Sequence, residues 1–104
     1  MTDMDETVSE YPYVEVEEGD AQGIEATILS HKWRDTQWGT QHSMLVEVDV
    51  GYGRYKLYGP IPKALDQDFD PVGMRVTMIC NVKRSDDDST FGFFARPRSA
   101  AYIQ

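Results

Sequence analysis

The sequence predicts a single all-β domain, a five-stranded Greek-key barrel with one short helix between its third and fourth strands. Three observations carry that expectation. The chain has 104 residues, the size of one ordinary domain. From Gly23 onward, short runs rich in Val, Ile, Tyr, Phe and Thr are separated by Gly, Pro and Asp clusters, with no helical stripe longer than a turn or two. The runs follow the order long bent strand, hairpin, short helix, hairpin, which is the arrangement of a small Greek-key barrel.

The N-terminal segment stands apart from this pattern. Residues 1–20 hold Asp3, Asp5, Glu6, Glu10, Glu15, Glu17, Glu18 and Asp20 and no Lys or Arg, so the whole formal charge of −8 belongs to them. The first ten residues lack any periodicity, and the segment reads as an acidic flexible tail on a domain spanning 21–104. Tyr11 to Val16 leaves an alternative open. Its Tyr and Val residues favour an edge strand, whereas Pro12 and the adjacent Glu residues oppose one.

The first strand is expected at about Gly23 to Arg34, with Ile24, Ala26 and Ile28 on one face. Adjacent apolar residues Ile28 and Leu29 break the period of two and predict a bulge. A loop over 35–41 leads to the second strand, His42 to Val50, where Met44, Val46, Val48 and Val50 alternate with polar residues. Gly51 and Gly53, around Tyr52, supply positive φ for a hairpin. The third strand, Arg54 to Gly59, turns Tyr55 and Leu57 inward and Arg54, Lys56 and Tyr58 outward. Pro60 and Pro62 stop it. Lys63 to Gln67 then forms about one helical turn with Leu65 as its buried residue, ended by Pro71. Val76, Met78, Cys80 and Val82 face the core from a fourth strand, Arg75 to Lys83. After the polar loop of Asp86, Asp87, Asp88 and Ser89, the fifth strand, Phe91 to Arg96, puts Phe91, Phe93 and Ala95 on one face, read as the core side, and Phe94 and Arg96 on the other.

Several chemistries are excluded at this level. Cys80 stands alone, so neither an intrachain disulfide nor a zinc site of several thiolates can form; it reads as a small buried hydrophobe. No run approaches the ~18 apolar residues of a membrane span, and the opening MetThrAspMetAspGlu has no signal-peptide character, so the expected location is cytoplasmic, without a membrane partner. Asp66, Asp68 and Asp70 mimic the start of a calcium loop, but Pro71 and Thr77 occupy its Gly and Glu positions. GlyTyrGlyArgTyrLys at 51–56 lacks the third glycine and following helix of a dinucleotide site. His31 and His42 are read as isolated. No set of nucleophile, base and oxyanion donors emerges, so the expectation is a non-enzyme with no cofactor and no metal.

The segments LysTrpArgAspThrGlnTrpGly at 32–39, TyrGlyProIlePro at 58–62 and SerAspAspAspSerThrPheGlyPhePheAlaArgPro at 85–97 carry a resemblance. Together with the strand order, they look similar to small oligonucleotide/oligosaccharide-binding (OB) fold domains of the single-stranded-DNA-binding type found in bacteria and their phages. The likeness covers about residues 23–98. It implies a binding groove formed by the second and third strands with the first-to-second and fourth-to-fifth loops.

Aromatic and basic residues fall together at those places. Trp33, Arg34 and Trp38 flank the first loop; Arg54, Lys56 and Tyr58 line the outward face of the third strand; Lys83, Arg84, Phe94 and Arg96 flank the last hairpin. Flat rings stack on unpaired bases while cations hold phosphates, each stack contributing about 1–3 kcal/mol. The competing reading makes Trp33 and Phe94 plugs at the barrel ends and the cations an ordinary solvated face. The expected function is single-stranded DNA binding with little sequence preference, in replication or recombination, including that of a phage. RNA is an equally competent ligand, since stacking is indifferent to the sugar. The rival is a protein–protein adaptor, or an inhibitor mimicking nucleic acid, acting through residues 1–20.

Overall fold

The computed structural model describes residues 11–103. Five strands account for most of them: β1 (Gly19–Thr36), β2 (Gly39–Asp49), β3 (Arg54–Pro60), β4 (Arg75–Arg84) and β5 (Phe91–Tyr102). The sheet closes in a ring in the order β1-β2-β3-β5-β4. Every pairing is antiparallel except β3 with β5, which run parallel over Lys56–Phe91, Leu57–Gly92 and Tyr58–Phe93. The expected helix is a single 3-10 turn, Lys63–Leu65, and Leu65 is its buried residue. None of the described helices is long and apolar enough to cross a membrane.

Alternation decides what fills the ring. Ile24, Ala26 and Ile28 of β1, Met44, Val46 and Val48 of β2, Tyr55 and Leu57 of β3 and Val76, Met78, Cys80 and Val82 of β4 are all buried. The β1–β2 register shifts between Ile28 and Ser30, so the Ile28-Leu29 pair marks a bulge, as its broken period predicts. Beyond it, β1 leaves β4 and continues with β2 alone.

The fifth strand reverses the expected faces. Phe94 is 3% exposed and belongs to the core, whereas Phe93 is 47% exposed and Phe91 is half-buried. The cause is register: parallel pairing sets Gly92 beside inward Leu57 and sets Phe91 and Phe93 beside outward Lys56 and Tyr58. A Cβ at Gly92 would crowd a backbone carbonyl, Leu57 and Val16, so glycine is required where the seam closes. Counting apolar residues on the two faces of 91–96 points the wrong way because the glycine is the inward residue.

The acidic segment also differs from the expectation. Residues 1–10 lie outside the described residues, but 11–18 run along the start of β3 as a strap. Val14 N donates to Arg54 O (2.9 Å), Arg54 N to Pro12 O (3.0 Å) and Val16 N to Ser89 O (2.8 Å). Tyr13 makes one parallel bridge with Arg54, so the strap is not a regular edge strand. Val16 is 1% exposed, plugging the gap between β3 and the β4–β5 loop. Gly53 is explained by the same contact: only Gly51 of the hairpin has positive φ, +92°, while a side chain at Gly53 would collide with Val14.

The loop expected at 35–41 is instead a tight hairpin. β1 and β2 stay paired to Thr36–Gly39, leaving Gln37 and Trp38 as the turn. Gly39 takes φ +117°, and Thr36 Oγ1 donates to Gly39 O at 2.7 Å. Thr40 Oγ1 donates to Asp35 Oδ1 at 3.1 Å across the ribbon. These local bonds extend both strands into a projecting arm.

Candidate nucleic-acid interface

Strand registers align side chains across the outer face of the ring. Ser30 pairs with Leu45, Leu45 with Tyr58, Tyr58 with Phe93 and Phe93 with Lys83, forming one row that crosses β1, β2, β3, β5 and β4. A neighbouring row runs Glu47, Lys56, Phe91. Phe91 and Phe93 meet edge to face at 5.3 Å between centroids, and Lys32 Nζ lies 5.8 Å from the Tyr58 ring centre. Two depressions flank Phe91. One, of about 340 Å³, is lined by Ser30, His31, Lys32, Ser43, Leu45, Tyr58 and Phe91. The other, of about 380 Å³, is lined by Tyr13, Lys56, Asp88, Thr90 and Phe91. The result is a mainly apolar trough with ammonium groups along it.

Of the residues expected to bind, Lys56, Tyr58 and Lys83 belong to this face. Phe94 does not, because its ring is inside the core. Arg54 and Arg84 lie at the strap. Arg54 stacks 4.2 Å from the Tyr13 ring centre, donates to Tyr11 O (2.9 Å) and pairs with Glu47 (3.3 Å). Arg84 donates to Val16 O (3.2 Å) and pairs with Glu15 (3.4 Å) and Glu18 (3.9 Å). These carboxylates occupy guanidiniums expected to meet phosphates. Arg96, with φ +53°, sits in a bulge past Phe93, the last β5 residue paired with β3.

Trp33, Arg34 and Trp38 are carried on the arm. Trp33 is 58% exposed and Trp38 87% exposed. Trp33 shares the side of the ribbon that carries His31 and His42 and stacks on His42, centroids 3.9 Å apart and planes at 13°. Lys32 and Arg34 take the alternate positions, on the side of Ser43 and the trough.

Sequence reasoning missed four contributors. Alternation puts Phe91 and Phe93 inward, Leu45 receives no role in it, and Tyr13 lies in the segment that reads as tail. A glycine at 92 with an aromatic on either side was the available signal. It also read His31 and His42 as isolated, yet His31 Nδ1 lies 2.9 Å from His42 Nε2, and His42 Nδ1 lies 3.1 Å from Asp66 Oδ1. His31 Nε2 lies 3.6 Å from Asp70. The failed calcium-loop carboxylates thus brace the base of the arm. Among the described residues no group of three or more His, Cys, Asp or Glu is arranged to hold a metal.

Comparison with known proteins returns no matching family model, no matching curated protein and no matching solved structure.

Proposed function

We propose that this chain is an OB-type module that binds single-stranded nucleic acid, DNA foremost, along the outward face of β2, β3 and β5. The observation that carries the reading is the cross-strand row Leu45–Tyr58–Phe93, framed by Lys32, Lys56 and Lys83. An unpaired base offers two flat faces that lose water on stacking, and exposed rings in a row receive successive bases, at about 1–3 kcal/mol each. The ammonium groups beside them hold phosphates. Nothing in this arrangement reads base edges, so the binding is largely indifferent to sequence. Participation in replication or recombination, including phage replication, belongs to this same proposal.

A second reading has its own support. The strap's carboxylates already satisfy Arg84 and the chain carries a formal charge of −8, which suits a protein-binding adaptor better than tight polyanion binding. Fluorescence anisotropy of a dye-labelled oligo-dT decides between them. The nucleic-acid reading expects saturable binding that weakens with salt and falls at least tenfold in a Tyr58→Ala, Phe93→Ala double variant. No change in anisotropy at low salt overturns it in favour of the adaptor.

A further inference from the structure

We infer that the β1–β2 arm is a wedge for the junction between single-stranded and duplex nucleic acid, its Trp38 indole stacking on the terminal base pair. The inference rests on the reading of the trough as a single-strand site, and adds a second contact with a different ligand geometry.

The arm begins where the ring ends. β4 partners β1 only as far as Thr27, and β3 partners β2 only from Ser43. Beyond the rung Trp33–His42, where His42 O still accepts from Ile61 N, the rungs Arg34–Gln41, Asp35–Thr40 and Thr36–Gly39 stand clear as a two-stranded ribbon, about 10 Å long at the usual rise per residue. Isolated hairpins are marginal in water, so a projecting one needs bracing. Here the braces are specific. Trp33 covers His42, His42 is bonded to His31 and Asp66, and His31 faces Asp70, tying the arm's base to the segment after β3. The tip is fixed by Thr36 Oγ1, which donates to Gly39 O and accepts from Trp38 N at 3.2 Å.

This rigid ribbon presents the most exposed large ring among the described residues, Trp38, at its end. Charge points to the partner. On the trough side the arm carries Arg34, preceded at its base by Lys32, while Asp35 takes the opposite side, so this one face is positive in a chain of formal charge −8. Lys32 also borders the trough beside Tyr58, so a single strand leaving the trough passes Lys32 and Arg34 toward the tip. A flat ring held there meets the first base pair of an adjoining duplex, and β-ribbons and inserted apolar side chains are established ways of engaging duplexes.

The test compares three dye-labelled DNAs: oligo-dT, a fork with the same oligo-dT as its free arm, and a blunt duplex. A 2-aminopurine at the junction reports unstacking. Expected are at least fivefold tighter binding of the fork than of oligo-dT and a rise in 2-aminopurine emission. Trp38→Ala should abolish both while leaving oligo-dT affinity within twofold. Equal affinity for fork and oligo-dT, with unchanged 2-aminopurine emission in the bound fork, overturns the wedge and leaves the trough intact. Failure to bind any of the three overturns the parent reading and this one with it.

Discussion

Two adjacent phenylalanines of β5 face opposite ways, and on the proposed function one serves stability and the other binding. Phe94 is enclosed, so Phe94→Ala should cost about 3–5 kcal/mol in chemical denaturation, the usual range for a buried ring left as a cavity. Phe93→Ala should leave stability within about 1 kcal/mol and weaken oligo-dT binding instead. The opposite pattern would reverse the assignment of faces. Cys80 gives a pH test at the same scale. Burial pushes its thiol from the ordinary 9.0 up to about 11. The folded state therefore keeps a proton that the unfolded state has lost above about pH 9, so this contribution to stability is intact below that pH and declines as the pH rises toward 11. Cys80→Ala should flatten that decline, measured by denaturation at a series of alkaline pH values. The thiol should also resist alkylation until the chain unfolds.

At the scale of elements, the strap and the arm are the two features that strand periodicity does not reveal. The inward residues of β1 to β4 were legible because alternation is a local property, fixed by the pleat. The parity of β5 was not, since it depends on pairing with β3, more than thirty residues distant in sequence, and on one glycine at the seam. The strap was obscured by its own charge. Glu15, Glu17 and Glu18 speak for solvent, while a single Val between them closes the core. Val16→Ala should cost about 2 kcal/mol, in line with two buried methyl groups, and make 11–18 accessible to protease. A strap cleaved no faster in the variant would mean that Val16 does not hold it. The His pair shows the same limit, because its members are eleven residues apart and meet only when the ribbon forms.

On the scale of the whole molecule, charged side chains fall into two sets, those paired at the strap and β2 and those along the trough. Glu15 and Glu18 of the strap engage Arg84 and Glu47 of β2 engages Arg54, leaving Lys32, Lys56 and Lys83 to border the trough. If each holds one phosphate, log affinity for a single strand should fall with log salt at a slope of about −2, from ~0.7 per contact. A slope near zero would argue for stacking alone, and one much steeper would bring in guanidiniums that the strap now holds. The candidate site is therefore only partly legible in the sequence: Lys56, Tyr58 and Lys83 do share the outer face, but Arg54 and Arg84 are already partnered, Phe94 is in the core, and Phe91 and Phe93 lie on the side opposite to the one their alternation suggests. On the proposed function, Leu45, Tyr58, Phe93 and Lys83 form one continuous binding row. Amide chemical-shift mapping by NMR during titration with oligo-dT tests it most directly. The largest shifts should trace that row across β2, β3, β5 and β4 and spare the Phe69–Met74 segment; shifts confined to the strap, or none at saturating oligonucleotide, would contradict it.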